Sequence, residues 1–228
     1  NNTYVNYSLG GDLTGDKPVI ILGYLSEAGL SDYYTYEELP MNDESNLYVA
    51  HNSGNLTYVY NDYSSNILLN LSHIYNTNRL GDSIYGNGFS INYNEYIVET
   101  YNSYKLYLGN GKVIDYVSIG NNKYLSKEGT GDIITKIYNG STLMGYERDD
   151  NSSIYVYNSS GKISTIYLNK ADRTNNVWSS DAKKITITYT NGVITRIDDS
   201  DNNYIEFYYA TMVNSLPTSS QVGVQYLA

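Results

Sequence analysis

This chain of 228 residues contains no cysteine. That absence excludes disulfides, thiolate metal sites and thiol nucleophiles. Phenylalanine and tryptophan are rare, with 2 and 1 residues, whereas tyrosine occurs 29 times. A tyrosine ring packs on a sheet while its hydroxyl reaches water, so the composition favours β-sheets with one wet face.

Positive charge is also scarce. The chain has 14 Lys and Arg against 24 Asp and Glu, a formal net charge of -10, and no cluster of basic residues. A phosphate backbone would be repelled, so we expect no nucleic-acid partner. The longest apolar run, residues 19–22, is far shorter than the roughly 20 residues of a spanning helix, so we expect no membrane span in this chain. No basic n-region opens it, so either the chain is soluble or its targeting segment lies outside it.

Helical patterns are nearly absent. Only residues 23–39 hold a candidate turn or two, and their apolar spacing is irregular. Glycines and Pro18 punctuate the first part of the chain. We therefore predict an irregular N-terminal accessory segment over residues 1–45, with a short strand at 19–22, followed by a β domain over residues 46–228.

Hairpin signals recur throughout the predicted β domain. In KITITYTNGVITRID, apolar and polar side chains alternate on both sides of Asn191-Gly192, a pair that suits the two positive φ angles of a type I′ turn. Similar pairs of runs occur over residues 104–117 and 154–168, and Asn139-Gly140 marks another turn. The sequence thus predicts an all-β fold, a meander of short antiparallel strands and hairpins.

Several segments follow one another as they do just before and within the first repeats of Rhs/YD-repeat proteins. They are LSDYYTYEELPM, SGNLTYVYNDYS, LSHIYNTNR and YGNGFSINYNEYI, then KITITYTNGVITRIDDSDNNYIEFYYA. Over residues 30–210 the chain most resembles the wall-associated members of this family from Gram-positive bacteria. It departs from the pattern at Phe89, where relatives have Trp, and at residues 201–203, where Asp-Asn-Asn replaces Gly-Arg.

The resemblance implies a large curved or spiralling sheet, like a shell, that in full-length relatives often encloses or displays a C-terminal toxin or effector. It also implies a secreted or cell-wall-associated bacterial protein whose partners are other parts of the same long polypeptide. The chain ends within an apparent strand, so we expect it to be a fragment of a longer protein.

Motifs that carry catalysis are missing from the sequence. It has two histidines, His51 and His73, and the neighbouring Ser72 would point to the opposite face of a strand from His73. Nucleophile-elbow, zinc-protease and phosphate-loop patterns do not occur. We therefore expect no enzymatic activity and no cofactor.

Two acidic clusters, residues 147–151 and 198–203, are the nearest approach to a metal site. The second alternates oxygen ligands at Asp199, Asp201 and Asn203, but it lacks the glycine and the distal glutamate of a calcium-binding EF-hand loop. Solvated turns account for this cluster, and we expect no metal.

Aromatic side chains are the remaining candidates for binding. They either stack on sugar rings or form cross-strand ladders within the sheet. Trp178, in the polar stretch NNVWSSD, is either packed on the sheet as a lid or exposed as a contact. The sequence favours a non-enzymatic β scaffold; the alternatives are a carbohydrate-binding adhesin module for cell-wall or host polysaccharide and a hydrolase of the same sugars. The candidate glycan-stacking residues are Tyr33, Tyr34, Tyr36, Trp178, Tyr204 and Tyr208.

Overall fold

A computed structural model describes residues 28–31, 34–64, 68–79 and 83–209, and the backbone of residues 212–213, 216–217 and 223–227. The predicted all-β class is confirmed. In this part of the chain the single helical element is a 3-10 turn at Lys170–Asp172. The predicted strand at residues 19–22 and the candidate Tyr33 lie outside the described residues.

The first sheet is an antiparallel meander of five strands in chain order. Its strands are β1 (Tyr36–Asn42), β2 (Ser45–Ala50), β3 (Leu56–Ser64), β4 (Asn70–Asn76) and β5 (Phe89–Ile91).

The second sheet is an antiparallel meander of 12 strands. The remaining strands of the chain are β6 (Tyr96–Thr100), β7 (Ser103–Tyr107), β8 (Val113–Gly120), β9 (Lys123–Ser126), β10 (Ile133–Asn139), β11 (Thr142–Asp149), β12 (Ile154–Asn158), β13 (Ile163–Tyr167), β14 (Arg173–Thr174), β15 (Val177–Trp178), β16 (Lys184–Thr190), β17 (Val193–Asp199), β18 (Tyr204–Tyr208), β19 (Met212–Val213), β20 (Leu216–Pro217) and β21 (Gly223–Leu227). The pairs β14–β15 and β19–β20 form separate two-stranded hairpins, and all the others belong to the second sheet.

The predicted hairpin turn at Asn191-Gly192 is confirmed. Both residues have positive φ, 52° and 83°, and they join β16 to β17 in a register that pairs Ile187 with Ile197. Two asparagine pairs form similar turns: residues 121–122 join β8 to β9, and residues 175–176 join β14 to β15. All four of these asparagines have positive φ. These side chains tolerate the left-handed region better than most, which explains why asparagine-rich breaks delimit the strands.

β1 lies inside the segment for which the sequence predicted irregular structure, and there the prediction was wrong. Its residues pair with β2 from Tyr36 opposite Ala50 to Asn42 opposite Ser45. None of its side chains is buried, and Leu39 and Met41 remain 42% and 60% exposed. A strand without a buried face carries no apolar alternation, so the period-two pattern could not reveal it.

The second sheet curls so that β6 contacts β13, although these two strands are seven places apart in the order of the sheet. Tyr96 forms an isolated antiparallel bridge with Lys162, and the backbone N–H of Ile97 donates to the carbonyl of Gly161 at 2.7 Å. In a flat sheet, seven steps of about 4.8 Å would separate these strands by more than 30 Å. A side chain on Gly161 would overlap the carbonyl oxygen of Ile97, so this close approach requires glycine.

Side chains of the chain itself fill the inner face of the curled sheet. Three tyrosines there, Tyr104, Tyr116 and Tyr157, are at most 1% exposed. Isoleucines of the later strands continue the same core, with Ile194, Ile197 and Ile205 equally buried. The interior is a packed core of tyrosine and isoleucine.

Asn76 joins the two sheets and the segment before β1. Its side-chain oxygen accepts from the backbone N–H of Gly29 at 2.8 Å and from Asn55 and Thr57 at 3.0 and 2.8 Å. Its amide nitrogen donates to the carbonyl of Asn110, in the β7–β8 turn, at 2.8 Å. Because Asn76 is 1% exposed, these bonds form without competition from bulk water and fix the two sheets against each other.

Candidate functional site

Tyr36 is occupied by contacts within the chain. Its hydroxyl accepts from the backbone N–H of Ser31 at 2.7 Å and donates to the carbonyl of Gly29 at 3.4 Å. Its ring meets Tyr48 edge to face, with centroids 6.4 Å apart. Tyr36 therefore anchors the segment before β1, while its neighbour Tyr34 is half-buried there.

Trp178 packs on the sheet, as in the lid interpretation. It lies on β15, in the connection between β13 and β16. Its ring stacks on Tyr167 at 3.8 Å with an interplanar angle of 3°, and the guanidinium of Arg173 lies 5.2 Å from the indole centroid. Arg173 is itself paired with Glu147 of β11 at 2.8 Å. This cluster holds the hairpin β14–β15 on the sheet.

Tyr204 and Tyr208 share one face of β18, on either side of Glu206. The guanidinium of Arg196 covers Tyr204 at 3.8 Å from its centroid and bonds Glu206 at 2.8 Å. The hydroxyl of Tyr208 donates to the other oxygen of Glu206 at 2.7 Å, which raises the pKa of that tyrosine. Tyr208 stays 39% exposed, so its ring is the more accessible of the two.

A shallow groove of about 350 Å³ runs beside Tyr208, between the tip of the β16–β17 hairpin and the end of β18. Its walls combine aromatic rings with hydroxyl and amide groups. The lining residues are Thr190, Asn191, Val193, Thr195, Phe207, Tyr208 and Tyr209. Among the predicted stacking residues whose side chains the structure describes, this groove contains Tyr208 alone.

The acidic turn after β17 is closed by its own hydrogen bonds. Oδ1 of Asp199 accepts from the backbone N–H groups of Asp201 and Asn203 at 2.8 and 2.9 Å, and Oδ2 accepts from the Asn203 amide at 2.8 Å. Lys183 pairs with Asp201. Across the described part of the chain, His, Asp and Glu form no group of three that could hold a metal ion.

His73 and Asp62 form a pair on neighbouring strands of the first sheet. Nδ1 of His73 lies 2.8 Å from the Asp62 carboxylate, and the imidazole stacks on Tyr60 at 5.1 Å. The hydroxyl of Ser72 bonds Asn61 at 2.8 Å instead of reaching this imidazole. The geometry thus holds the ring in place without presenting a serine nucleophile to it.

A charged cluster is buried inside the second sheet. Arg148 of β11 bonds Oε1 of Glu95 through Nη1 at 2.6 Å and Oδ2 of Asp132 through Nε at 3.1 Å. Tyr157 donates its hydroxyl to the same oxygen of Glu95, and the ring of Tyr155 lies 4.1 Å from the guanidinium. Arg148 belongs to the first of the two acidic clusters noted in the sequence, and its side chain is only 9% exposed because it points to the inner face of the sheet.

Two carboxylates share one guanidinium in this cluster. Burial raises the pKa of Glu95 above its ordinary value, and the charge of Arg148 and the Tyr157 hydrogen bond only partly offset that effect. Burial raises the pKa of Asp132 in the same way. Burial lowers the pKa of Arg148, but Glu95, Tyr157 and Asp132 together outweigh that effect and hold this pKa above its ordinary value.

A second cavity, of about 180 Å³, lies where β6 meets β13. We name it the junction cavity. It is enclosed by the loop before β6, by Lys162 and by the β16–β17 hairpin. Its lining residues are Ser83, Ile84, Tyr85, Asn94, Glu95, Tyr96, Lys162, Tyr189, Gly192, Val193 and Ile194.

Sequence reasoning predicted none of the polar residues that line the junction cavity. Glu95 and Lys162 are 67 positions apart, and the curl of the sheet, which no local pattern encodes, brings them together. The one available signal was the isolated glutamate within NYNEYIV, an acidic residue surrounded by residues typical of strands. A charged residue in such a run is a candidate for burial with a partner.

Comparison with known proteins gives no match: no protein-family model fits the chain, and no curated protein is similar to it in sequence. In the residues that the structure describes, no helix has the length and apolar character needed to cross a membrane.

Proposed function

We propose that this chain is a non-enzymatic structural β scaffold. In this proposal it belongs to a secreted or cell-wall-associated protein of the Rhs/YD-repeat type, where it extends, encloses or displays other parts of the same polypeptide. The packed interior of the second sheet is the observation that carries the proposal. Tyr104, Tyr116 and Tyr157 fill this interior with side chains of the chain itself.

The contacts of the candidate binding residues support the same conclusion. Trp178, Tyr36 and Tyr204 each contact another side chain of the chain, which is how cross-strand ladders stabilise a sheet. Glu95 and Asp132, two buried carboxylates, are each held by Arg148. A cysteine-free, acidic chain suits a surface protein of a bacterium that does not depend on disulfides.

The test combines protease resistance with assays on polysaccharides. We expect the chain to melt in one cooperative transition, to resist a protease that degrades the Gly161→Val variant, and to release no sugar from bacterial cell-wall or host polysaccharides. Release of sugars that follows the concentration of the protein would overturn the scaffold proposal in favour of the hydrolase.

The carbohydrate-binding adhesin is the competing function, and the groove at Tyr208 gives it a definite location. It predicts that polysaccharides on an array retain the chain and that Tyr208→Ala abolishes the retention. Tyr101→Ala is the matched control, since Tyr101 is 95% exposed on the β6–β7 turn and lies outside the groove. Retention that depends on Tyr208 and not on Tyr101 would replace the scaffold by the adhesin.

A further inference from the structure

The junction cavity combines apolar walls with polar groups that keep hydrogen-bonding capacity. Among the described residues, both hydrogen bonds to the Glu95 carboxylate go to Oε1, from Arg148 and from Tyr157. Its Oε2 therefore keeps its acceptor positions. Because the Glu95 side chain is only 9% exposed, these positions are sheltered from bulk solvent.

Two donors face the same space. Lys162 donates one N–H to the carbonyl of Gly192 and lies 5.3 Å from the centroid of Tyr189, which leaves two further protons on its ammonium group. Among the described residues, the Tyr189 hydroxyl feels the burial and the neighbouring Glu95 and Tyr209 but has no hydrogen-bond partner. Burial, together with the nearby charge of Glu95, raises the pKa of Tyr189, so this hydroxyl stays protonated and able to donate.

The lining contains one acidic and one basic side chain, so it has no net preference for a ligand of either charge. Glu95 would repel an anion, and Lys162 would repel a cation. Arg148, behind Glu95, is already committed to Glu95 and Asp132. The remaining capacity is a set of separate donors and acceptors, which suits a ligand with several hydroxyl groups and no net charge.

The size of the cavity limits the ligand further. A volume of about 180 Å³ holds about six water molecules. Cavities for drug-sized ligands start at roughly 300 Å³. The ligand is therefore comparable with one sugar ring and smaller than an oligosaccharide.

We propose that the junction cavity binds a single uncharged pyranose ring, with Glu95 accepting from its hydroxyls and Lys162 and Tyr189 donating to them. Ile84, Val193 and Ile194 supply the apolar contacts for the ring carbons. The site lies where β6 meets β13, so a bound sugar would bridge the edge strand β6 and the part of the same sheet that it contacts. This inference goes beyond the proposed scaffold, and sugar binding without turnover leaves that proposal intact.

The test is a titration of the whole chain with glucose, galactose, mannose and N-acetylglucosamine, followed by NMR. We expect at least one of them to bind with a dissociation constant of about 1 mM or tighter. Glucuronate and glucosamine carry a charge and should bind at least about tenfold more weakly than the neutral sugar. An absence of shifts with all four neutral sugars at about 10 mM would overturn the proposal.

Three variants locate the site. Tyr189→Phe removes one hydroxyl and should weaken binding about 3- to 10-fold, and Lys162→Met should weaken it by about tenfold or more. Val193→Trp fills the cavity and should abolish binding. Tyr167→Phe is the matched control, because it removes a tyrosine hydroxyl outside the cavity. Equal affinity in all four variants, with unchanged melting temperatures, would place the sugar elsewhere and overturn the proposal.

Discussion

Nη1 of Arg148 lies 2.6 Å from Oε1 of Glu95, across 53 positions of sequence, in the interior of the second sheet. Glu95 immediately precedes β6 and Arg148 belongs to β11, so the contact spans the inside of the curl. The two charged groups can meet only when the sheet is bent as far as it is in this structure. The contribution of this ion pair to the free energy of unfolding can be measured directly.

Removing the shared cation should destabilise the fold strongly. Arg148→Met leaves the carboxyl groups of Glu95 and Asp132 buried without the cation they share, and we expect a loss of about 3 to 5 kcal/mol in the free energy of unfolding, measured with urea. Arg196→Met is the matched control, since Arg196 also pairs with two carboxylates but is 37% exposed, and it should cost much less. In the triple variant with Glu95→Gln and Asp132→Asn, much of the stability should return. Equal losses for Arg148→Met and Arg196→Met would contradict a buried role.

The buried cluster should make stability depend on pH with a definite sign. Because the folded pKa of Glu95 is raised above its ordinary 4.5, its contribution is complete below that pH and falls as the pH rises through the folded pKa. The stability of the native chain minus that of Glu95→Gln should therefore decrease from about pH 4.5 upward.

Glu206→Gln supplies the opposite sign as a control for this measurement. The hydrogen bonds from Tyr208 and Arg196 lower the pKa of Glu206, so its contribution is present above the ordinary 4.5 and is lost as the pH falls. Urea midpoints across pH 3 to 8 give both differences. If the two stability differences changed with pH in the same direction, burial would not be what determines the pKa of Glu95.

The contact of β6 with β13 can be tested with two glycines. Gly161 and Gly140 both have positive φ, 79° and 61°, so an alanine meets similar backbone strain at either site. At Gly161 the added methyl group would also overlap the Ile97 carbonyl, whereas nothing lies within 4 Å at Gly140. We expect Gly161→Ala to lose at least about 1 kcal/mol more than Gly140→Ala in thermal or urea melts. Equal losses would mean that the sheet does not curl this far in solution.

Chelation should leave the chain unaffected. The oxygens of Asp199 are engaged by the backbone N–H groups and the amide of its own turn. We expect EDTA to change the melting temperature by no more than about 2 °C. A fall of about ten degrees, reversed by added Ca²⁺, would show that the turn rearranges to bind the ion.

The hairpins were predictable from sequence because their information is local. The pair Asn191-Gly192 indicates the turn type, and the alternation of apolar and polar residues on both sides of it indicates which side chains face inward. β1 was not predictable, since its exposed Leu39 and Met41 give no inward face. The insertion that carries Trp178 was identified as polar, but its stacking on Tyr167 depends on a neighbouring strand.

The candidate site was predictable only in part. Tyr208 was nominated from sequence and lines a groove, whereas Tyr36 and Tyr204 are engaged by their own neighbours. Glu95 and Lys162 were missed, because their proximity depends on the curvature summed over all the strands between them. Curvature comes from the twist of every strand pair and from bulges such as that between Ile137 and Tyr138, and no single residue encodes it.

The bridge between Tyr96 and Lys162 also bears on the order in which parts of the second sheet form during folding. Hairpins such as β10–β11 join residues close in sequence and form on a timescale of about 1 to 10 μs. The bridge instead joins residues 66 positions apart, and the chain entropy of so large a loop is offset only once the intervening hairpins have shortened it. We therefore expect the curl to form after the hairpins that lie between β6 and β13. Until residues 161–163 are in place, β6 has one unpaired edge, and an unpaired strand edge is where a sheet is prone to pair with another chain.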